Sequence, residues 1–484
     1  MASFNEAQVV LERLFKTLQS RQSDVELLDQ AYRGEFKLRF ASDNFREFFS
    51  DRYRDFSDNW CAIVADAPHE RLEVTGIRLK DQDKGDADLW NTWTDTDSDA
   101  LSDLAFLDAI NLKRSYALVW GDDDDKATIT WEHPSQCVVE YDPETRERRY
   151  GLKAWADDDN EYATLYTKDD IWKFQRPRVR AHLSELELPA GLWSGAWVLR
   201  GDSPNIPNTL GKVPLVEIPN RPRLLGEPSS DIAGTLAMQH AINLLWAQLF
   251  AVSDEATIGQ RVIIGAEMPK MPILNSEGVV IGERPLDLKK LRRDNILWVE
   301  SDNAGAKIGE WAAAKLDVFT NVIEIAVGHI AAQTRTPAHY LLIGGTIANV
   351  SGDAMKALET GLVKRTEEKT QHFGRAVRDV FELVALVESS PAKAQAVRRG
   401  KVLWKDVENR SDAQRADALQ KKQAVGYPLR YLLELAGLPP QEIERVMGMV
   451  KDEQRVDPFN MLDPVTQGIV KGGAQVAAEP DASA

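Results

Sequence analysis

The chain has 484 residues, 43% of them hydrophobic, and carries 59 Lys and Arg against 76 Asp and Glu for a net charge of −17. That length supports several layers of core and more than one domain. So acidic a chain repels nucleic acid at long range, which excludes tight, salt-driven DNA binding over its whole surface but not loose enclosure of DNA. The two cysteines, Cys61 and Cys137, make no disulfide framework and fit a reducing compartment.

The opening "MASFNEAQVVLERLFKTLQSRQ" has helical periodicity and acidic residues and lacks the basic-then-apolar pattern of a signal peptide. Helical, aromatic sequence continues to about residue 60. "DNWCAIVADAPHERLEVTGIRL" then passes from a helical to a strand-like pattern, with Leu72, Val74 and Ile77 around a Thr-Gly turn. Residues 85–120 read as helical again. From "YALVWGDDDDKATITW" to "DDIWKFQ", short β-branched and aromatic runs alternate with Asp, Asn, Gly and Pro turns, the pattern of a β-meander. Helices followed by a meander predict an α+β fold, not a doubly wound sheet.

"IPNRPRLLGEPSSDI" reads as a Pro-rich hinge, with Ser229 and Ser230 as caps for the next helix and Asp231 suited to its positive end. From Ile232 to Ser253 the chain has no Asp, Glu, Lys or Arg. A membrane span needs about 20 mostly apolar residues. Here, however, Thr235, Gln239 and Asn243 form an i, i+4, i+8 polar line, so a helix buried by protein is expected. Strand and turn signals follow in "QRVIIG", "EGVVIGERP" and "NILWVE". A second low-charge helix is expected in "EWAAAKLDVFTNVIEIAVGHIAAQ", with Asp317, Asn321, Glu324 and Gly328 as its polar line. These two helices bracket a β-rich insert and have more apolar perimeter than one contact can hide. Either a large core surrounds them, or neighbouring copies pack on both sides, closing into a ring or running on as a filament. Leu245, Phe250, Phe319 and Ile325 are the packing residues singled out on them.

"RTPAHYLLIGGTIANVSGDAMKALETGL" places a small, uncharged segment, Gly344, Gly345, Thr346, Ile347, Ala348, Asn349 and Val350, before a long helix starting near Ser351. Met355, Leu358, Leu362, Phe373, Val377, Val380 and Val384 mark one stripe of that helix. Thr366 and Lys369 interrupt the stripe, and Gly361 and Gly374 suit a bend or close packing. Two or three short helices follow Trp404, one with Pro at its first turn in "GLPPQEIERV". The tail beyond about residue 458 reads as disordered.

Motifs for chemistry are absent. There is no phosphate-cradling G-x-x-x-x-G-K-[ST], no H-E-x-x-H, no G-x-S-x-G and no paired C-x-x-C. The seven His are scattered singly, and packing is the reading for His329 and His339. The run from Asp122 to Asp125 suits a solvated hairpin turn and, as an alternative, a hard cation. Trp residues read as core and interface, and the mixed charge of the C-terminal helices argues against helix-turn-helix DNA reading. Arg284, Lys289, Lys290, Arg292 and Arg293 cluster in the β-rich insert, either as a solvated basic face or as a patch facing a polyanion or an acidic partner.

Taken in order, "LLDQAYRGEF", "FSDNWCAIVADAPHERLEVTGIR", "RTPAHYLL", "SGDAMKALETGLVKRTEEKTQHFGRA" and "RSDAQRADALQK" resemble the portal proteins of tailed bacteriophages, above all those of phages infecting actinobacteria. The resemblance runs from about residue 25 to 450. It implies a wing from 1–228 and 351–390, stem helices at 229–259 and 310–335, and a β-rich clip at 260–309. It further implies a tunnel-loop region at 336–350 and a helical crown at 391–457. The implied role is structural, not enzymatic, and without a cofactor or resident metal: a ring of about twelve subunits at the capsid vertex, assembled in the host cytoplasm. Double-stranded DNA would be packaged and ejected through it without sequence specificity. The implied partners are the terminase large subunit, a head-tail adaptor, and the capsid and scaffolding proteins, with no membrane. Another virion connector ring and a metal-dependent enzyme built on Asp122 to Asp125 are the alternatives.

Overall fold

The computed structural model describes residues 3–36, 57–178, 196–258, 315–341 and 352–456, apart from positions 81, 83, 123, 125, 203, 389 and 409–411, together with five strands between 261 and 310. Its elements run α1 (Phe4–Tyr32), α2 (Trp60–His69), β1 (Val74–Arg78), α3 (Ala87–Asp95), α4 (Ser98–Leu112), β2 (Arg114–Gly121), β3 (Ala127–Glu132) and β4 (Cys137–Tyr141). There follow β5 (Arg148–Ala156), β6 (Asn160–Tyr166), β7 (Asp170–Pro177), β8 (Val198–Leu199), β9 (Asn205–Pro207) and β10 (Leu215–Pro219). Next come α5 (Leu236–Ile258), β11 (Arg261–Ile264), β12 (Lys270–Leu274), β13 (Val280–Pro285), β14 (Ile296–Val299) and β15 (Lys307–Glu310). The chain continues through α6 (Asp317–Thr334), α7 (Ala338–Leu341), α8 (Gly352–Glu388), α9 (Pro391–Arg398) and β16 (Lys401–Trp404). It ends in α10 (Asp412–Ala424), α11 (Leu429–Leu435) and α12 (Pro440–Val456). Helices and antiparallel sheets are mixed along the chain, so the fold is α+β. No described helix is long and apolar enough to cross a membrane.

The chain divides into two compact units. The first takes in Met1–Asp29, Ala65–Asp231 and Thr360–Ala484, the second Gln30–Val64 and Ile232–Glu359. Residues 30–64, read above with the N-terminal segment, thus cluster with the residues after 231. In the first unit, β4 to β8 form consecutive antiparallel neighbours, with β9 also paired to β7. The sheet is covered on both faces. Ala7, Leu11, Leu14 and Leu18 recur at helical spacing along α1 and pack on Val138, Leu152, Ala154, Leu165 and Phe174 of one face. The other face sends Val139, Tyr166 and Ile171 against Tyr116, Val213 and Leu215 beside and within the sheet β10-β2-β3. The strands approach closely there: a Cβ on Gly151 would lie 2.9 Å from Val213 Cγ1, so only glycine fits.

The C-terminal half of α8 supplies a further core to this unit. Phe373 stacks on Phe106, and Phe381 stacks on Trp93 with ring centroids 4.9 Å apart. Val377, Val380 and Val384 are fully buried. A Cβ on Gly374 would meet Trp404 Nε1 at 3.2 Å, so this helical glycine serves close packing. Trp93 is fully buried, and the half-buried Trp131 and Trp404 join this core edge-on or tilted, Trp131 against Trp93 and Phe106 and Trp404 against Phe106. β1 pairs antiparallel with β16, and the expected Thr-Gly turn is a shift in register between Val74 and Gly76 inside that ladder.

In the second unit α5 and α6 pack together. The described strands of the β-rich insert form an antiparallel hairpin, β12-β13, and a three-stranded sheet, β14-β11-β15, in which β11 and β14 run parallel. Two expected helix starts move. Glu310, expected to open a helix, ends β15 and pairs with Arg261; the helix begins at Asp317. Its apolar sequence suits either state, and strand pairing decides. Ser229 and Ser230, expected as caps, precede the helix by a full turn or more, since α5 begins at Leu236.

Candidate functional site

The helix α6 has three sectors. Ile323, Ala326, Val327, Ile330 and Ala331 are buried. Asp317, Asn321 and Glu324 form the exposed polar line expected from the sequence. Between these lies an apolar line at helical spacing, Val318, Val322 and Ile325, exposed to 58%, 44% and 61%. His329 continues this line and is exposed, not packed as expected. One Leu or Ile at a surface is ordinary; a helical stripe of β-branched side chains beside a polar line marks a contact face. Ile325 thus stands in solvent within one subunit, whereas Leu245, Phe250 and Phe319 are half-buried.

The polar line on α5 has a definite task. Gln239 Oε1 accepts from Trp60 N at 2.8 Å, and Asn243 Oδ1 accepts from Asp58 N at 3.2 Å. Trp246 Nε1 donates to Asp58 Oδ2 at 3.1 Å. The first two bonds satisfy backbone amides at and just before the start of α2, and the third anchors the Asp58 side chain. Burial pushes the Asp58 carboxyl upward, against the Trp246 hydrogen bond. Cys61 Sγ lies 3.3 Å from Thr235 Oγ1, and burial pushes its thiol up to about 11, so it is an inert packed thiol.

The polar interruption of the α8 stripe is an ion cluster in the first unit. Asp231 Oδ2 accepts from Arg365 Nε at 3.0 Å and Nη2 at 2.6 Å, and lies 2.7 Å from Lys369 Nζ. Asn220 joins both charges: its Nδ2 donates to Asp231 Oδ1 at 3.0 Å, and its Oδ1 accepts from Lys369 Nζ at 2.6 Å. Asp231, Arg365, Lys369 and Asn220 are all buried. Burial is the largest single influence on Asp231 and raises its pKa, but Lys369 and Arg365 together outweigh it and hold the carboxyl well below its ordinary value. Burial draws Lys369 down to about 8, against the pull of Asp231. Asp231 is therefore not the helix-end residue expected, because two adjacent cations hold a buried carboxylate more strongly than a helix dipole does.

Other expected residues fall as follows. Gly344 to Val350, and Lys289, Lys290, Arg292 and Arg293, lie outside the described residues. Arg284 sits in β13, opposite Met271. Asp122 Oδ1 accepts from the amides of Asp124 and Lys126, closing the hairpin between β2 and β3; no group of three metal-ligating side chains occurs among the described residues. His339 is packed against Tyr340, 3.8 Å from Glu359.

Residues 20–454 match the phage portal protein family of the SPP1 Gp6-like type. The portal protein of Mycobacterium phage L5 is 27% identical over 440 residues, covering 86% of this chain and 81% of that protein. The portal protein of Mycobacterium phage D29 is 27% identical over 379 residues, covering 74% and 71%. A solved chain from the neck of an empty GTA particle aligns at 11% identity and a TM-score of 0.40, over 83% of this chain and 95% of that one, a likeness too slight to argue from. With a match spanning most of its length, the chain belongs to the SPP1 Gp6-like family of phage portal proteins.

Proposed function

We propose that this chain forms a closed ring of about twelve subunits at one capsid vertex, through which the genome is packaged and later ejected. The observation that carries this reading is the exposed stripe of Val318, Val322 and Ile325 on a helix whose other apolar side is already buried. A face left over after the subunit has folded is what a heterologous, ring-closing contact needs. In this reading 1–228 and 351–390 form the wing, 229–259 and 310–335 the stem, 260–309 the clip and 391–457 the crown. The ring docks the terminase motor and the head-tail adaptor, meets capsid and scaffolding proteins, and assembles in the host cytoplasm.

Gly344 to Val350 form the tunnel loop at the narrowest part of the channel. The segment has two glycines, mostly small side chains and no charge, between Pro337 and the start of α8. It offers nothing for phosphate to grip, and an acidic wall repels DNA. Replacing Ile347 and Asn349 with Lys adds two positive charges per subunit. Rings are expected to assemble, and packaging of DNA into heads to slow or stall, most at low salt, where attraction is least screened. Packaging at the unaltered rate at every salt concentration refutes the channel assignment.

The basic cluster gives a second expectation. With Arg284, Lys289, Lys290, Arg292 and Arg293 on the clip, Arg292→Glu with Arg293→Glu leaves rings intact and weakens motor binding or packaging. Unchanged packaging in assembled heads removes the cluster from the motor or DNA path.

A further inference from the structure

Beside the second core of the first unit opens a cavity of about 550 Å³, lined by Trp120 of β2 and by Lys153, Trp155, Lys173, Arg200 and Ile206 among others. Strand register composes its floor. Lys153, Thr164 and Lys173 are mutual partners across β5, β6 and β7, so their side chains stand in one row on one face. Trp155, Tyr162 and Gln175 make the next row on that face. Arg200, directly after β8, holds its guanidinium 5.0 Å from the Trp155 ring centroid and 5.2 Å from that of Tyr162.

Among the described residues the charges here are unbalanced. Lys153 is neutralised by Glu132 at 2.5 Å. Lys173 and Arg200 have no carboxylate partner among the described residues. In a chain of net charge −17, two cations that no carboxylate among the described residues pairs with, in one aromatic-walled cavity, are a local reversal of sign. Through Arg200 the cavity borders the end of the sheet. β8 ends the strand order of the sheet, and its Val198 and Leu199, 49% and 37% exposed, lead straight into Arg200.

We propose that this cavity and the adjoining β8 edge bind an acidic, apolar segment of a partner protein. Carboxylates of the segment meet Lys173 and Arg200, and an aromatic or aliphatic side chain enters between Trp120, Trp155 and Ile206. Charge complementarity selects the acid, and the cavity takes one or two side chains. The exposed edge, with its apolar Val198 and Leu199, receives the extended backbone on either side. DNA fits less well, because two cations within an apolar wall cannot follow a line of phosphates. The proposal does not depend on ring formation.

The test is fluorescence anisotropy on the full chain with a fluorescein-labelled peptide, Glu-Leu-Glu-Trp-Glu-Leu, and its counterpart with every Glu replaced by Gln. The acidic peptide is expected to bind about tenfold or more tightly than the Gln peptide, and to weaken as salt is raised. Lys173→Glu and Arg200→Glu, at half-exposed positions, are each expected to weaken the acidic peptide by about tenfold. Equal binding of the two peptides, no binding, undiminished binding to the folded variants, or full displacement by a DNA duplex overturns the proposal. Should a variant fail to fold, the comparison of the two peptides on the unaltered chain decides alone.

Discussion

Replacing Asp231 with Asn is expected to destabilise the subunit by about 3–5 kcal/mol, and more than replacing Lys369 with Met. Asn keeps the shape of the side chain but removes the carboxylate that Arg365 and Lys369 both contact. Two buried cations are then left 2.6–2.7 Å from a neutral amide. Removing Lys369 instead leaves Asp231 still paired with Arg365 through two hydrogen bonds and with Arg221 Nη1 at 3.8 Å, so no buried charge is stranded. The order of the two thermal unfolding midpoints checks this. Equal midpoints, or an Asp231→Asn midpoint matching the unaltered chain, contradict it.

Stability also depends on pH through this cluster. The Asp231 carboxyl titrates lower in the folded chain than in the unfolded one. Its contribution is fully present above the ordinary carboxylate range and is lost as pH falls through the lower native value. Lys369 works in the opposite sense. Its native pKa, about 8, lies below the ordinary 10.5, so between those values the unfolded chain binds more protons and stability rises with pH.

Ile325→Asp is expected to leave the folded subunit close to intact and to abolish rings. The side chain is 61% exposed in one subunit, so a carboxylate there stays hydrated before assembly. In a packed contact with a neighbouring copy the same carboxylate is buried without a partner, at a cost of several kcal/mol repeated at every interface of the ring. Ala326→Asp, one residue along on the buried sector, is expected to prevent folding. Leu245→Asp, half-buried, is expected to weaken both the fold and assembly. Circular dichroism and light scattering separate these outcomes. Rings formed normally by Ile325→Asp would remove the stripe from the interface.

Long periodic elements were legible in the sequence. The α8 stripe is buried at Leu362, Phe373, Val377, Val380 and Val384 but not at Leu358, which is 55% exposed, and the strands β2 to β7 follow the alternating runs and turns but divide between two sheets, β2 and β3 in one and β4 to β7 in the other. The polar line Thr235, Gln239 and Asn243 was visible too, and all three are buried. Its partner, the start of α2, was not, because 179–188 residues separate the bonded groups. The ion cluster was half legible. Lys369 on an apolar stripe demands a counter-charge, but no local spacing points to Asp231, 138 residues away. The cation-lined cavity left no trace, since its members come together only through sheet register. The sequence pattern starts the helix at Glu310, the last residue of the strand Lys307–Glu310, because the pairing of Glu310 with Arg261 is non-local.

Electron cryomicroscopy of the purified full-length protein tests the ring assignment most directly. A closed ring with an axial opening is expected, with Val318, Val322 and Ile325 of each subunit buried against its neighbour. Monomers as the only species, or rings that leave this stripe in solvent, contradict it.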